Sequence, residues 1–372
     1  MKKRPTIYEI ARSVGVSPAT VHRVLRGYTS VSKETRERVL TTAAAVGYKP
    51  NRAASYLSSK RPLRISVNTI SSVTQTVTGP ASFWHEVRAG IEEERASRDI
   101  QNVEVSYRTY PRLDGSETRA FDAALKSGVD GIIAFPGNIE ALRPLLRRAQ
   151  DSNIPVVMVA TDAPDMGRLA VAKIDAAASG ALAADLMGRF VHRSGTLGVT
   201  LFNLSIREQA IKYESFVETI RALHPAFRVE APIADQDLYQ RSYDECAALI
   251  RRCPDLVGIY VTTENSLPVI AALRDAGLVG KVTLITTDRL PSLVAHVRSG
   301  AVAATIVQRP RTQGRTAFRL LYEYLGDRTL EVKDVTFAPH LVMRGNLDLF
   351  LRRDERPGGK TSPAAETTPE PN

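Results

Sequence analysis

The first 50 residues carry apolar side chains at helical spacing. Apolar positions recur every three or four residues over 7–14 and again over 21–25, as they do on one face of a helix. The pattern predicts three short helices. The first starts after Thr6 and breaks at Gly15, and the others span about Pro18–Arg26 and Lys33–Val46.

Beyond residue 62 the pattern changes to short, β-branched apolar runs that alternate with amphipathic stretches. The runs predict strands at Leu63–Thr69, Val103–Arg108, Gly131–Phe135, Pro155–Val159, Leu169–Ile174, Thr196–Phe202, Gly258–Val261, Val282–Thr286 and Ala303–Val307. The stretches predict helices at Phe83–Ser97, Glu117–Ser127, Ile139–Asp151, Ala176–Val191, Arg207–Leu223, Tyr243–Arg252, Leu267–Ala276 and Arg311–Leu325. This alternation favours doubly wound parallel sheets, whose ligands bind beyond the carboxyl ends of the strands.

Cap signals mark the starts of the three N-terminal helices. Thr6 and Glu9 have the spacing of a capping box. Ser17 is a good N-cap, Pro18 suits the first helical position, and Ser32 caps the third helix. The start of the second helix should therefore offer free N–H groups and positive dipole character to a DNA groove.

Almost all of the excess positive charge lies in the same region. Residues 1–64 hold 14 lysines and arginines against three acidic residues, while the whole chain has a net charge of +10. The remainder is therefore close to neutral, which is typical of a DNA-binding head on a separately tasked core. A solvated basic tail is the alternative, but a tail would not carry helix caps and apolar periodicity.

The segment from Pro50 to Leu57 predicts a short helix that Asn51 can cap. Such a helix is too short to persist alone in water, so we expect it to order when paired with its dimer mate on DNA. Leu57 is then a candidate wedge for the minor groove, or else an ordinary linker contact.

These segments resemble the DNA-binding head of the lactose repressor (LacI/GalR) family. The resemblance is carried by the runs Ile7–Leu25, Val31–Val39 and Tyr48–Ala54, which occur in the family's order and spacing. It covers residues 5–60. It implies a transcriptional regulator, most simply a repressor, that binds a palindromic double-stranded operator as a homodimer or as a tetramer of paired dimers.

The resemblance also implies which residues meet DNA. Pro18 and Ala19 can offer only apolar contact to a thymine methyl, which leaves Arg23 as the candidate for a guanine. His22 stands where the family usually has a phosphate-contacting serine, and it is longer and pH-dependent. The predicted DNA contacts are Thr6, Tyr8, Ser17, Pro18, Ala19, Thr20, His22, Arg23, Asn51, Ala54 and Leu57.

Residues 63–350 resemble the same family's sugar-binding core, which is similar to periplasmic ribose-type binding proteins (type I). That architecture has two α/β subdomains, three chain crossings between them and a ligand in the cleft. The crossings are expected near Thr161–Asp165, Thr287–Pro291 and Tyr322–Arg328. The predicted domains are a helix-turn-helix domain (1–49), hinge helix and linker (50–62), first subdomain (63–161 and 291–322), second subdomain (162–290 and 323–350) and disordered tail (351–372).

Asp288 follows a predicted strand, where a carboxylate can accept two hydrogen bonds from hydroxyls. The resemblance implies that it contacts sugar hydroxyls; the alternative is an N-cap for the segment that starts near Leu290. Gln308 matches another cleft residue of the family. Phe83 and Trp84 open the first helix of the core, where ribose-type binders carry stacking aromatics, although plain core packing is the alternative.

Three places in the core depart from the family pattern. Lys212 stands where relatives place an arginine that makes two hydrogen bonds to hydroxyls, Thr263 replaces a common asparagine, and Val159-Ala160 lies where an aspartate is frequent. Fewer polar anchors favour a smaller, modified or less hydroxylated effector, still a sugar, a polyol or a related metabolite. Further candidates, each equally explained as a solvated charge, are Arg207, Glu264 and Asp162.

Other classes of function lack their motifs. The sequence shows no phosphate-cradling glycine loop, metal cluster or nucleophile elbow, so we expect no enzyme, catalytic residue, metal or cofactor. A periplasmic solute carrier fits neither the basic head nor the missing signal peptide. Cys246 and Cys253 are expected as buried thiols, and together with the lack of an 18-residue apolar run they predict a cytoplasmic protein with no membrane contact.

Overall fold

The molecule is described from a computed structural model of the chain, which describes residues 6–25, 31–46, 62–71, 82–97, 100, 102–288 and 291–354. Its N-terminal part is a three-helix unit. The helices are α1 (Ile7–Val14), α2 (Pro18–Leu25) and α3 (Lys33–Ala45). The predicted caps of these three helices are present: the Thr6–Glu9 capping box, Ser17 on the N–H of Thr20, and Ser32 on the N–H of Thr35.

The head has its own small core. Gly15 ends α1 in the left-handed region at φ 72°, where a side chain is disfavoured. The predicted apolar stripes meet inside the three helices, where Ile10 and Val21 are fully buried. Arg38 of α3 donates to the carbonyl of Val14 at 2.6 Å, so it satisfies one of the free carbonyls at the end of α1.

The rest of the described chain forms two parallel sheets covered by helices. Its elements are β1 (Leu63–Ile70), α4 (Phe83–Ser97), β2 (Val103–Tyr110), α5 (Ser116–Lys126), β3 (Gly131–Ala134), α6 (Ile139–Asp151), β4 (Val156–Val159), β5 (Ala170–Ile174), α7 (Ala176–Phe190), β6 (Gly195–Leu201), α8 (Arg207–Leu223), β7 (Phe227–Val229), β8 (Ile233–Ala234), α9 (Tyr239–Arg252), β9 (Leu256–Val261), α10 (Leu267–Asp275), β10 (Thr283–Thr287), a 3₁₀ turn (Pro291–Leu293), α11 (Val294–Ser299), β11 (Ala304–Val307), α12 (Pro310–Gly326), β12 (Val335–Phe337), β13 (His340–Val342) and α13 (Leu347–Asp354).

The first sheet has the strand order β12-β5-β4-β3-β1-β2, and every pair in it is parallel. The second sheet runs β13-β11-β10-β9-β6-β7, with β8 also on β6, and only β13 is antiparallel. Each sheet is buried on both faces by its own apolar clusters. This burial explains why their strands read as continuous apolar runs rather than alternating ones.

The chain passes between the sheets at 174–176, 307–310 and 337–340, not at the three places predicted. The predicted crossing at Thr161–Asp165 is wrong because the chain turns back there and adds β5 beside β4 in the first sheet. The first subdomain therefore comprises residues 62–174 and 310–337, and the second comprises 176–307 and 340–354. Residues 351–354, predicted as tail, belong to α13.

Two smaller expectations can also be compared with the structure. Cys246 lies in α9 and Cys253 at its end, and both are free and buried as predicted. Among the described helices, none has the length and apolar character needed to cross a bilayer.

Candidate functional site

The predicted DNA contacts of the head that the structure describes are mostly exposed. Tyr8 is 73% exposed, Pro18 and Ala19 are exposed at the start of α2, and Arg23 is exposed further along it. Thr20 is half-buried, and its hydroxyl meets that of Ser17 at 2.8 Å. The side chain of His22 and residues Asn51, Ala54 and Leu57 lie outside the described residues.

A cleft between the two sheets brings together all six predicted ligand residues. Phe83, Trp84, Lys212, Thr263, Asp288 and Gln308 line one cavity. Its volume is about 100 Å³. A single water takes up roughly 10–15 Å³ of such a cavity, so the cavity suits a molecule the size of a small sugar or polyol.

Several lining residues come directly after a strand, which explains why they meet. Phe135 follows β3, Ala160 follows β4, Phe202 follows β6, Asp288 follows β10 and Gln308 follows β11. Parallel strands present their carboxyl ends at one edge, and the two sheets turn these edges toward each other.

Three of the predicted residues form one hydrogen-bonded chain. The Nζ of Lys212 donates to the Oε1 of Gln308 at 2.6 Å, and the Nε2 of Gln308 donates to a carboxylate oxygen of Asp288 at 2.5 Å. The backbone N–H of Gln308 donates to the other carboxylate oxygen at 2.8 Å. The N-cap interpretation of Asp288 depends on residues 289 and 290, which lie outside the described part of the chain.

Burial tunes both charges of this chain. Lys212 is 1% exposed, and desolvation lowers its pKa to about 8, although Asp288 opposes the shift. Desolvation raises the pKa of Asp288, against the two hydrogen bonds from Gln308 and the charge of Lys212. The pair is thus held in a dry environment where added hydrogen bonds from ligand hydroxyls would be strong.

Sequence reasoning missed an acidic pair beside the predicted site. Asp237 lines the cavity and accepts from the hydroxyl of Thr263 at 2.6 Å, while its own N–H donates to Asp235. Burial, followed by the charge of Asp235, raises the pKa of Asp237 well above its usual range. Asp237 follows a strand of only two residues, β8, which left no pattern to detect.

Two carboxylates of the second subdomain reach across the cleft. Glu264 accepts from the N–H of Phe83 at 2.7 Å and so caps α4 of the first subdomain. Glu208 accepts from Lys173 at 2.9 Å and from the N–H of Asp162 at 3.1 Å. Both glutamates are buried and line the cavity, so opening the cleft would have to break their bonds.

The first subdomain contributes an aromatic wall. The ring of Trp84 meets those of Phe83 and Phe135 edge to face, with ring centroids 4.9 Å apart in each case. Packing and ligand contact are therefore compatible at Phe83 and Trp84, since each ring also lines the cavity.

The three further candidates separate. Glu264 lines the cavity, Asp162 pairs with Arg168 at 2.5 Å, and Arg207 is exposed. Applying the strand-end rule to every predicted strand, including those without polar ends, would have found Phe135, Ala160 and Phe202. Within the described residues, no cluster of three metal-ligating side chains occurs.

Family comparisons agree with this two-part architecture. The model of bacterial regulatory proteins of the lacI family matches residues 6–51, and that of the periplasmic binding protein domain matches residues 72–329. The protein is therefore a DNA-binding regulator with a periplasmic-binding-protein core. The chain belongs to the LacI family of bacterial regulatory proteins.

Whole-chain relatives share this organisation. The chain is 25% identical over 344 residues to catabolite control protein A of Staphylococcus epidermidis, covering 91% of this chain and 98% of that protein. It is 24% identical over 353 residues to the protein of that name from Staphylococcus aureus, with the same coverage. These relatives are named as control proteins rather than as enzymes.

Solved structures of binding proteins share the fold over more than three quarters of the chain. A glucose-galactose binding protein from Geobacillus stearothermophilus aligns with a TM-score of 0.70 and 21% identity, over 77% of this chain and 99% of that one. A solute binding protein from Bacillus halodurans with bound myo-inositol aligns with a TM-score of 0.70 and 15% identity, over 80% and 99%. At this identity the likeness shows the fold.

Proposed function

We propose that this protein is a repressor that binds a palindromic operator as a dimer in the cytoplasm, under control of a sugar, polyol or related metabolite in the cleft. The observation that carries the proposal is the union of two sites in one chain. An exposed face of α2 carries Arg23, and a separate cavity gathers Lys212, Asp288 and Gln308.

The head supplies the means of reading DNA. Its second helix begins with the small, exposed residues Pro18 and Ala19, so its backbone can approach a major groove closely. One head covers a single half-site, and a palindrome read by two heads is the usual solution for this motif. A cytoplasmic location follows from the proposal, because that is where bacterial operators lie.

The cavity supplies the means of control. Its carboxylates and amide accept and donate at fixed positions, which suits hydroxyl groups. The structural neighbours include a glucose-galactose binding protein and a solute binding protein with bound myo-inositol, and these three compounds are all polyhydroxylated. Because Glu264 and Glu208 bridge the cleft, a ligand that fits the closed form would shift the balance between the open and closed cleft.

The operator can be found by selecting bound duplexes from a random library with the full-length protein. The selected site should be a near-palindrome with two major-groove half-sites. Arg23→Ala should cost ~1–3 kcal/mol on that site and relax preference at one base pair of each half-site. Arg12→Ala removes an equally exposed charge from α1 and should spare sequence preference.

Two outcomes would contradict the proposal. If Arg23→Ala weakens selected and random DNA equally, Arg23 contacts only phosphate and the assignment of base reading is wrong. A protein lacking residues 1–60 should lose operator binding, so retardation of the operator by this core would place the DNA site elsewhere.

A further inference from the structure

The cavity has two chemically different ends. At one end, side chains from both subdomains pack into an apolar cluster with Trp84 and Ala160 against it. The buried members of this cluster are Ile70, Tyr110, Phe135, Phe202 and Ile206. Four of these five, all except Tyr110, also line the cavity, so this end offers contact with carbon but few hydrogen bonds.

The other end is a bonded polar network supplied by the second subdomain. It contains the chain from Lys212 through Gln308 to Asp288, and the contact between Thr263 and Asp237 at 2.6 Å. Side-chain packing holds the apolar set together and hydrogen bonds hold the polar set together, so each set forms its own patch of the cavity wall. The cavity therefore has one apolar part and one polar part.

Resting on the proposed function, we propose that the effector is a hydroxylated compound that carries one apolar group. A deoxy sugar, or a sugar glycoside with an alkyl or aryl group, belongs to this class, and a fully hydroxylated monosaccharide does not. The hydroxyl-bearing part lies against Asp288, Gln308 and Asp237. The apolar group lies among Trp84, Phe135 and Phe202.

The apolar end cannot satisfy a further hydroxyl well. Apart from Thr161, the polar side chains beside these rings already have partners: the hydroxyl of Ser71 donates to the carbonyl of Tyr110 at 3.2 Å, Glu264 accepts from the N–H of Phe83, and Glu208 accepts from Lys173 and from the N–H of Asp162. A ligand hydroxyl buried against the aromatic rings would lose its water without a replacement partner. This cost selects against the hydroxylated parent of a deoxy ligand.

The hydroxyl of Thr161, next to Ala160, offers one unused hydrogen-bonding group to a ligand. Thr161 is 1% exposed and lines the cavity, yet its Oγ1 has no hydrogen-bond partner. Buried hydroxyls of this kind nearly always find a partner. We assign it to a ligand oxygen, a ring oxygen or a hydroxyl at the start of the polar part.

Matched pairs of sugars test the proposal in the full-length protein. L-rhamnose is compared with L-mannose, L-fucose with L-galactose, and phenyl β-glucoside with glucose, by calorimetry and thermal shift. In at least one pair the apolar member should bind roughly ten- to a hundredfold more tightly than its parent. Equal or tighter binding of the parent in every pair, or binding of no sugar in any pair, would overturn the proposal.

A substitution at Ala160 should reverse the preference. Ala160 packs on the apolar cluster with φ at 70°, a conformation that aspartate tolerates better than alanine does. Ala160→Asp places a hydroxyl acceptor at the apolar end. The protein should therefore bind the hydroxylated parent about tenfold more tightly and the deoxy member about tenfold less tightly. Ala160→Gly accepts the same backbone conformation without the acceptor and should keep the original preference.

Different results would contradict the inference about the effector and the proposed function. If Ala160→Asp binds both members of a pair less tightly but in the original ratio, the apolar end is not where the pair differs, and the inference is wrong. Operator retardation is measured on the same proteins. Loss of DNA binding by the unmodified protein would instead contradict the proposed function and leave the comparison of sugars standing.

Discussion

Asp288 has several features that are unfavourable for stability and typical of a residue in a binding site. It lies in the left-handed region at φ 63°, it is 4% exposed, and both its carboxylate oxygens accept from Gln308. A charged, desolvated residue in a disfavoured conformation costs stability, and such costs concentrate at functional sites. Its place directly after β10 points its carboxylate into the cleft.

Asp288→Asn should weaken effector binding by about ten- to a hundredfold, since a hydrogen bond to a charged group contributes roughly 1.5–3 kcal/mol. Asparagine tolerates the left-handed conformation, so the fold should persist. Operator binding without effector should be unchanged in retardation assays. Asp151→Asn, at the exposed end of α6, is the matched control, and an equal loss in both variants would remove Asp288 from the site.

Glu117 makes a different prediction, about stability. It is 3% exposed and accepts from the N–H groups of Gly137 and Asn138, just before α6. Burial nevertheless raises its pKa from 4.5 to about 7. The folded state therefore binds this proton more tightly than the unfolded state, so its stabilisation is present below pH 4.5 and is lost as the pH rises to 7.

Denaturant unfolding at pH 5 and pH 8 measures this effect. The free energy of unfolding of the wild type should fall more between these values than that of Glu117→Gln, by on the order of 2–3 kcal/mol. Other buried acids, such as Asp235 with a pKa of about 6, contribute equally to both proteins. Glu140→Gln, exposed on α6, should follow the wild type, and parallel curves for Glu117→Gln would contradict the assignment.

At the scale of elements, each subdomain holds two helices together through glycine. A Cβ on Gly90 of α4 would lie 1.9 Å from the carbonyl oxygen of Arg311 on α12. A Cβ on Gly180 of α7 would lie 2.2 Å from the carbonyl oxygen of Lys212 on α8. The second crossing matters for the site, because the turn of α8 that it presses on carries the Lys212 side chain.

Gly180→Ala should therefore lower both stability and effector affinity. The backbone of α8 must move, which costs roughly 1–3 kcal/mol in a packed interior, and the Nζ of Lys212 moves with it. Gly188→Ala is the control on the same helix, since the atoms nearest to its Cβ belong to the side-chain ring of His224 rather than to the backbone of α8. A Gly180→Ala protein with unchanged effector affinity would separate the helix crossing from the site.

The sequence predicts long elements and misses short ones, for a physical reason. β1 is recognisable because a strand buried on both faces carries apolar residues along much of its length. α8 is recognisable because a helix buried on one side repeats apolar residues every three or four positions over many residues. Strands such as Phe227–Val229 and His340–Val342 are three residues long at sheet edges, and they exist because a neighbouring strand pairs with them. Local pattern carries little information about such pairing.

The site follows the same division. Asp288 and Gln308 were predictable because each ends a strong strand, whereas Phe202 and Ile206 read as ordinary apolar residues. Only the approach of the two subdomains makes those residues part of a cavity. The first crossing was misplaced because the apolar strand Ala170–Ile174 fits either sheet equally well by pattern, and its pairing with β4 decides.

At the scale of the whole molecule, the question is how the cleft controls the head. Glu264 and Glu208 connect the subdomains through α4 and β5, so the relative position of the subdomains is set by the same cavity that binds the effector. In the proposed dimer, a change in the relative position of the subdomains would alter the distance between the two chains at the point where residues 50–62 join the core. A short hinge helix that is stable only when paired would respond steeply to that spacing.

Hydrogen exchange over residues 51–58 measures this coupling in the full-length protein. Because so short a helix is unstable alone, these amides should exchange rapidly in the free protein and become protected on operator DNA. Addition of the tightest-binding sugar from the matched pairs should change that protection. Residues 33–45 of α3 are the internal control, since their protection should respond far less to the sugar. A hinge already protected without DNA, or one that ignores a bound sugar, would rule out this mechanism and require the signal to reach the head by another route.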